Sequence, residues 1–252
     1  MKPINPNFWT QVGGQLLYRN LCEEQKVYAK DMMGSWRRGE IDEALLIYYE
    51  IYNRPWTLHI DDCTYQAKDC YIKEGDVVLD IGANIGIFNR FATDKKAKKV
   101  YSFEPLQANF QLLTLNQGKH SESFRLAVGG YDNNAIEMAY KSNAPGGSSI
   151  YKHDNGELQT VMGITIDTLF YNGVIEQPDF IKVDVEGAEI DVFNGICDQI
   201  LKGVRCISME VHHKIPKVKK HWDNLHKRLC DLGFNSYYVS YPSQDNQWYY
   251  WK

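Results

Sequence analysis

No stretch of this 252-residue sequence reaches the roughly 18 consecutive apolar residues that a membrane-spanning helix needs. The opening residues, Met1 to Pro6, have no apolar signal core behind them. Both absences lead to the expectation of a soluble, cytoplasmic protein without a membrane span. An excess of basic side chains is also missing: 28 Lys and Arg against 32 Asp and Glu leave a net charge of −4. A surface built to neutralise phosphates carries the opposite balance, so no nucleic-acid partner is expected. The six cysteines, Cys22, Cys63, Cys70, Cys197, Cys206 and Cys230, stand apart and include no C-x-x-C pair. Zinc sites and redox dithiols rely on such close spacing to converge their sulfurs. These thiols read instead as small, mostly buried hydrophobes. Internal repeats and low-complexity tracts are absent too.

What is present is an ordinary globular composition, 44% apolar and 24% charged, which excludes fibrous and disordered classes. The length suits one large α/β domain with a modest extension. The pattern changes near residue 70. Residues 1–70 carry helical-looking stretches around Leu21–Met33 and Ile41–Tyr52, the latter with Ile41, Leu45, Tyr48 and Tyr52 on one face. This part reads as a mainly helical extension that packs on the main domain or covers a pocket. Residues 71–252 alternate strands with helices. Strands are expected at Asp76–Ile81, Val100–Phe103, Phe124–Val128, Phe180–Val183 and Val204–Val211. Helices are expected after Gly86, over Leu106–Gln117, from about Ala188 and around His221–Leu232, and two further strands at Ile136–Tyr140 and Gln159–Ile166. Such alternation predicts a mostly parallel, doubly wound sheet. Ser236–Ser240 and Trp248–Trp251 suggest an antiparallel hairpin at its edge.

Four constellations carry chemistry. In Leu79-Asp80-Ile81-Gly82-Ala83-Asn84-Ile85-Gly86, a strand runs into glycines at a helix N-terminus, where backbone amides attract negative groups. The dinucleotide pattern G-x-G-x-x-G is not met. The acid Asp80 would repel a pyrophosphate but suits a ligand with a cationic amino group, such as S-adenosylmethionine. Glu104, in Phe103-Glu104-Pro105, caps the adjacent strand, where a carboxylate can accept hydrogen bonds from both ribose hydroxyls. Asp184 ends the buried strand of Ile181-Lys182-Val183-Asp184-Val185-Glu186-Gly187-Ala188-Glu189 and should point into the crevice where open α/β sheets bind ligands. Glu186 and Glu189 also read as plain helix-start acids. In Met209-Glu210-Val211-His212-His213, Glu210 and His212 share a strand face, and His213 should turn away. A carboxylate and a histidine beside another strand-end carboxylate suit a general base or part of a metal site.

In order and spacing these motifs resemble the FkbM-type S-adenosylmethionine-dependent methyltransferases, over roughly residues 71 to 215. Gly146-Gly147-Ser148-Ser149 and Thr165-Ile166-Asp167-Thr168-Leu169 look like that family as well. One departure is Arg125, where the family often has asparagine. The resemblance implies a Rossmann-like class I methyltransferase fold and O-methylation, frequently of sugar hydroxyls in glycans or glycoconjugates. It implies donor contacts from Asp80, Gly82, Asn84, Gly86, Glu104, Pro105 and Ala127, with Asp184, Glu210 and His212 as catalytic residues at the acceptor. A divalent ion held by Asp184 and Glu210 is a further candidate, and oxygen-rich ligation favours Mg2+ over zinc. Two rivals share the sheet: a nicotinamide-dependent oxidoreductase, disfavoured by the glycine pattern and Asp80, and a non-catalytic nucleoside-binding module. Acceptor identity and oligomeric state are not legible in the sequence.

Overall fold

The computed structural model describes residues 10–12, 15–17, 65–132, 134–140, 157–240 and 246–252. The helices expected over 21–33 and 41–52, and the 146–149 loop, lie outside these residues. Near the start, β1 (Thr10–Val12) and β2 (Gln15–Leu17) pair antiparallel. The main elements follow as β3 (Val77–Ile81), α1 (Ile87–Asp94), β4 (Lys99–Phe103), α2 (Gln107–Asn116) and β5 (Ser121–Phe124). Next come β6 (Ala127–Val128), β7 (Ala135–Tyr140), β8 (Glu157–Ile164), α3 (Ile166–Tyr171) and β9 (Phe180–Val183). The chain continues with α4 (Glu189–Asn194), α5 (Asp198–Gly203), β10 (Cys206–Val211), α6 (Pro216–Asp231), β11 (Asn235–Ser240) and β12 (Asn246–Trp251).

Seven strands form one sheet in the order β11-β12-β10-β9-β3-β4-β5. All pairings from β10 through β5 are parallel. β12 runs antiparallel to both β10 and β11, so the hairpin enters the sheet by its second strand. This is the mixed α/β, Rossmann-like fold the alternation predicts. The strands are apolar because both faces are covered: all of β3 and β9 is buried, and Leu79, Ile81, Ile181, Val183, Ile207 and Met209 share one core. The chain moves outward from β3 to β4 and β5, then returns to place β9 on the other side of β3. That reversal opens a crevice at the carboxyl ends of β3 and β9, where ligands of open α/β sheets bind.

Three details differ from the sequence reading. Phe124–Val128 is not one strand. β5 ends at Phe124, which stacks on Phe103 with ring centroids 5.2 Å apart, and the Arg125 guanidinium turns to Gln107 Oε1 at 2.7 Å. Ala127–Val128 then joins β8 in a separate three-stranded sheet, β6-β8-β7. Helix α3 has no counterpart in the sequence reading, and where one helix is expected from about Ala188 the chain forms two short ones, α4 and α5, broken at Gly195 to Cys197. Helix α6 begins at Pro216 rather than near His221, and proline in a first turn is a start signal because its missing N–H has no helical partner to lose. Just before the domain, Tyr65, Ala67, Cys70 and Ile72 are buried. The Cys70 thiol donates to the carbonyl of Ile207 at 3.5 Å, and Arg205 donates to the carbonyl of Tyr71 at 2.9 Å, which tie this segment to β10.

Candidate active site

The glycine loop after β3 takes three left-handed residues, Gly82 (φ 79°), Asn84 (φ 49°) and Gly86 (φ 87°). A side chain at Gly82 would collide with the carbonyl oxygen of Asp184, so only glycine lets this loop lie against the end of β9. The N–H groups of Gly82 and Ala83 both donate to the Phe103 carbonyl, at 3.0 and 2.9 Å, which holds the loop against the end of β4. Gly86 caps α1 without a side-chain hydrogen bond.

Glu104 is buried beside this loop. One carboxylate oxygen accepts the N–H of Asn84 and the other that of Leu106, each at 2.9 Å. Burial pushes its carboxyl group up to about 7, against the opposing pull of those two amides and of the Lys182 charge. Asp80 lies deeper, fully buried, and is not on the wall of the cavity. The Lys182 ammonium stands 3.3 Å from Asp80 Oδ1 and donates to the Gly82 carbonyl at 2.6 Å. Burial raises the Asp80 carboxyl above the usual range, while Lys182 and the Ser102 hydroxyl draw it back. Asp80 therefore meets the loop from beneath, through Lys182, and is not among the residues lining the cavity.

At the end of β9 the chain turns through Glu186, left-handed at φ 52°, into α4. Asp184 accepts the Tyr65 hydroxyl at 2.7 Å. His212, buried just past β10, has Nδ1 2.7 Å from Glu189 Oε1 and Nε2 3.3 Å from Glu186 Oε2. Glu189 is fully buried and also accepts the N–H of Gly187 at 2.9 Å. Burial opposes charge on His212, but the Glu189 hydrogen bond and charge, with those of Glu186 and Glu210, hold the imidazole up to about 10. His212 is therefore a cation at neutral pH and cannot accept a proton in that state. Ligand atoms of Asp184, Glu186 and His212 lie within 4.8 Å of one another. Glu210 is not in that group: it is half-buried on β10, opposite Gln247 of β12. The structure thus brings Glu186 and His212, and not Glu210, into one group with Asp184. His213 turns away, as expected, to meet the edge of the Trp222 ring at 5.2 Å.

A cavity of ≈ 320 Å³ joins the two ends. Gly82, Asn84, Glu104, Pro105 and Ala127 line it together with Asp184 and Glu186. Ile136 and Met138 of β7 close it from the small sheet, whereas Gly86 and His212 stay behind the wall. Sequence reasoning passed over Tyr65 and Lys182 and left Glu189 ambiguous. Local sequence shows Glu189 only as an acid at a helix start. Its burial against His212 is set by an element from further along the chain.

The pattern of the Methyltransferase FkbM domain matches residues 80–236, more than half of the chain. Hexuronic acid methyltransferase AglP of Haloferax volcanii is 27% identical over 140 residues, 56% of this chain and 57% of that protein. The chain thus spans little more than half of that relative's length. The 31-O-demethyl-FK506 methyltransferase FkbM of Streptomyces tacrolimicus is 35% identical over 85 residues, 33% of this chain and 30% of its own. The crystal structure of methyltransferase FkbM from Methylobacillus flagellatus KT superposes with a TM-score of 0.51 at 16% identity, covering 92% of this chain and 56% of that one. That likeness carries the fold, and the matched domain carries more: the chain belongs to the FkbM methyltransferase family.

Proposed function

We propose that this methyltransferase moves the methyl group of S-adenosylmethionine to a hydroxyl oxygen of a sugar in a glycan or glycoconjugate. The observation that carries the reading is one cavity lined by both Glu104 and Asp184. Glu104 would hold the ribose hydroxyls of the donor, and the apolar wall around Ile136 and Met138 suits its adenine. The Gly82–Gly86 loop would receive the methionine end, kept in shape by the Asp80–Lys182 pair below it. The names of two relatives, one acting on a hexuronic acid and one on an O-demethyl compound, support oxygen as the acceptor atom and, in one case, a sugar.

The sulfonium is already electrophilic, so the protein has two tasks: to place the hydroxyl in line and to take its proton. Asp184, on the cavity wall and oriented by Tyr65, is the proton acceptor. As the C–O bond forms, the sulfonium becomes a neutral sulfide and the hydroxyl proton passes to the carboxylate. His212 is cationic and held by two glutamates, so it fixes the corner rather than removing the proton. S-adenosylhomocysteine should bind and raise the melting temperature, since a ligand of the native state stabilises by mass action. NAD should not. Protection by NAD alone would replace this reading with an oxidoreductase, and labelled donor offered with a panel of sugars tests the acceptor class.

A further inference from the structure

Behind two of the three clustered side chains stand second groups that hold them. Glu189 can only accept, so the His212 Nδ1 contact at 2.7 Å fixes a hydrogen on Nδ1 and presents Nε2 toward Glu186. Tyr65 plays the equivalent part for Asp184 through its 2.7 Å hydrogen bond. Carboxylate-backed imidazole and hydrogen-bonded carboxylate are the outer supports that orient ligands around a metal ion. A second observation is independent of the cluster. The other carboxylate oxygen of Glu189, Oε2, is fully buried and has no hydrogen-bond partner. A buried anionic atom without a partner is costly, and a divalent charge beside the imidazole would offset it.

We propose that Asp184, Glu186 and His212 form a divalent cation site at the acceptor end of the cavity, of a mixed carboxylate–imidazole kind suited to Mn2+ rather than Mg2+. Two carboxylates and one imidazole are softer than the all-oxygen set that magnesium prefers. Binding exchanges the Nε2 proton for the ion, as metal capture by histidine requires. The inference rests on the proposed methyl transfer for its meaning: a cation here would stabilise the negative charge that develops on the acceptor oxygen.

The test uses the full chain, stripped with chelator and titrated with Mn2+ while free Mn2+ is followed by electron paramagnetic resonance. Melting temperature is read in parallel, with Mg2+ and Ca2+ as comparison ions. About one Mn2+ per chain should bind, with affinity at least about tenfold above that for Mg2+. Glu186→Gln and His212→Gln should each weaken it by about tenfold or more. Glu189→Gln, one step removed, should weaken it by roughly 10–100-fold, the range for a lost outer support. Glu186 is partly exposed, so its variant folds and decides the matter if His212→Gln does not. No Mn2+ uptake at millimolar concentration, or uptake unchanged in Glu186→Gln, overturns the site. S-adenosylhomocysteine binding separates the two ideas. Donor binding without Mn2+ removes the cation and leaves the methyl-transfer reading, whereas Mn2+ binding without donor binding removes that reading and leaves the cation.

Discussion

At the loop end of the cavity a single acid, Glu104, sits in a largely apolar wall and is held by two backbone amides. At the other end Asp184, Glu186, Glu189 and Glu210 gather around one imidazole. Both groups stand at the carboxyl tips of parallel strands, β4 on one side of β3 and β9 and β10 on the other, so strand polarity does not distinguish them. Their compensation does. Burial leaves the Glu104 carboxyl titrating near pH 7, ready to gain from hydroxyl donors, whereas the acids of the far corner share one cationic side chain, His212. Asp80 shows a third outcome at the same sheet edge: a buried lysine absorbs its charge and takes it out of the cavity. The type of acid at a strand tip therefore says less than the cation, if any, that faces it.

The largest effect should come from removing that lysine. Lys182→Met leaves Asp80 buried without its ion partner and should cost about 3–5 kcal/mol in urea unfolding. The double change with Asp80→Asn should recover most of it. A loss below about 1 kcal/mol would mean that the pair does not brace the loop. Next in size, Asp184→Asn and His212→Ala should lower turnover by roughly two orders of magnitude or more while donor affinity changes little. Normal turnover in His212→Ala would erase the contrast between the two ends. Glu104→Ala should act in the opposite sense, weakening donor binding by about 1–3 kcal/mol.

The smallest effect is a pH dependence. Ionised Glu104 accepts hydroxyl donors best, so donor affinity should fall as pH drops below about 7, and Glu104→Gln should bind weakly but evenly across that range. Fold stability runs the other way. The carboxyl rises from 4.5 to about 7 on folding, so its stabilising contribution is complete below 4.5 and is lost as pH climbs through 7. Unfolding and donor titrations on the same two proteins, across pH 5 to 8, should therefore slope in opposite directions for the native sequence only.

Much of the glycine-loop side of the cavity was legible because its signals are local. Strand, glycine and acid lie within a few residues of one another, and the backbone geometry of the loop needs those residue types. The acidic corner was half legible. Asp184 and His212 announced themselves as strand-end groups, but their partners are fixed by tertiary packing. Glu189 looks like any helix-start acid until His212 arrives from the end of β10, and Glu210, although its charge acts on His212, is not among the residues lining the cavity. The five residues Phe124–Val128 read as one strand because apolar character alone cannot show that Arg125 leaves the sheet edge.

Tyr65 lies ahead of residue 80, where the family match begins, yet its hydroxyl is the group that orients Asp184. The working unit is thus longer than the inherited domain. A chain cut at the boundary of sequence kinship would keep Glu104 and the glycine loop but lose the hydroxyl that steadies Asp184, the proposed proton acceptor. On the proposed mechanism a neighbouring segment takes part in the chemistry, and relatives that share the domain but differ ahead of it need not share acceptor alignment. Divergence in what they methylate has a route that leaves every family motif untouched.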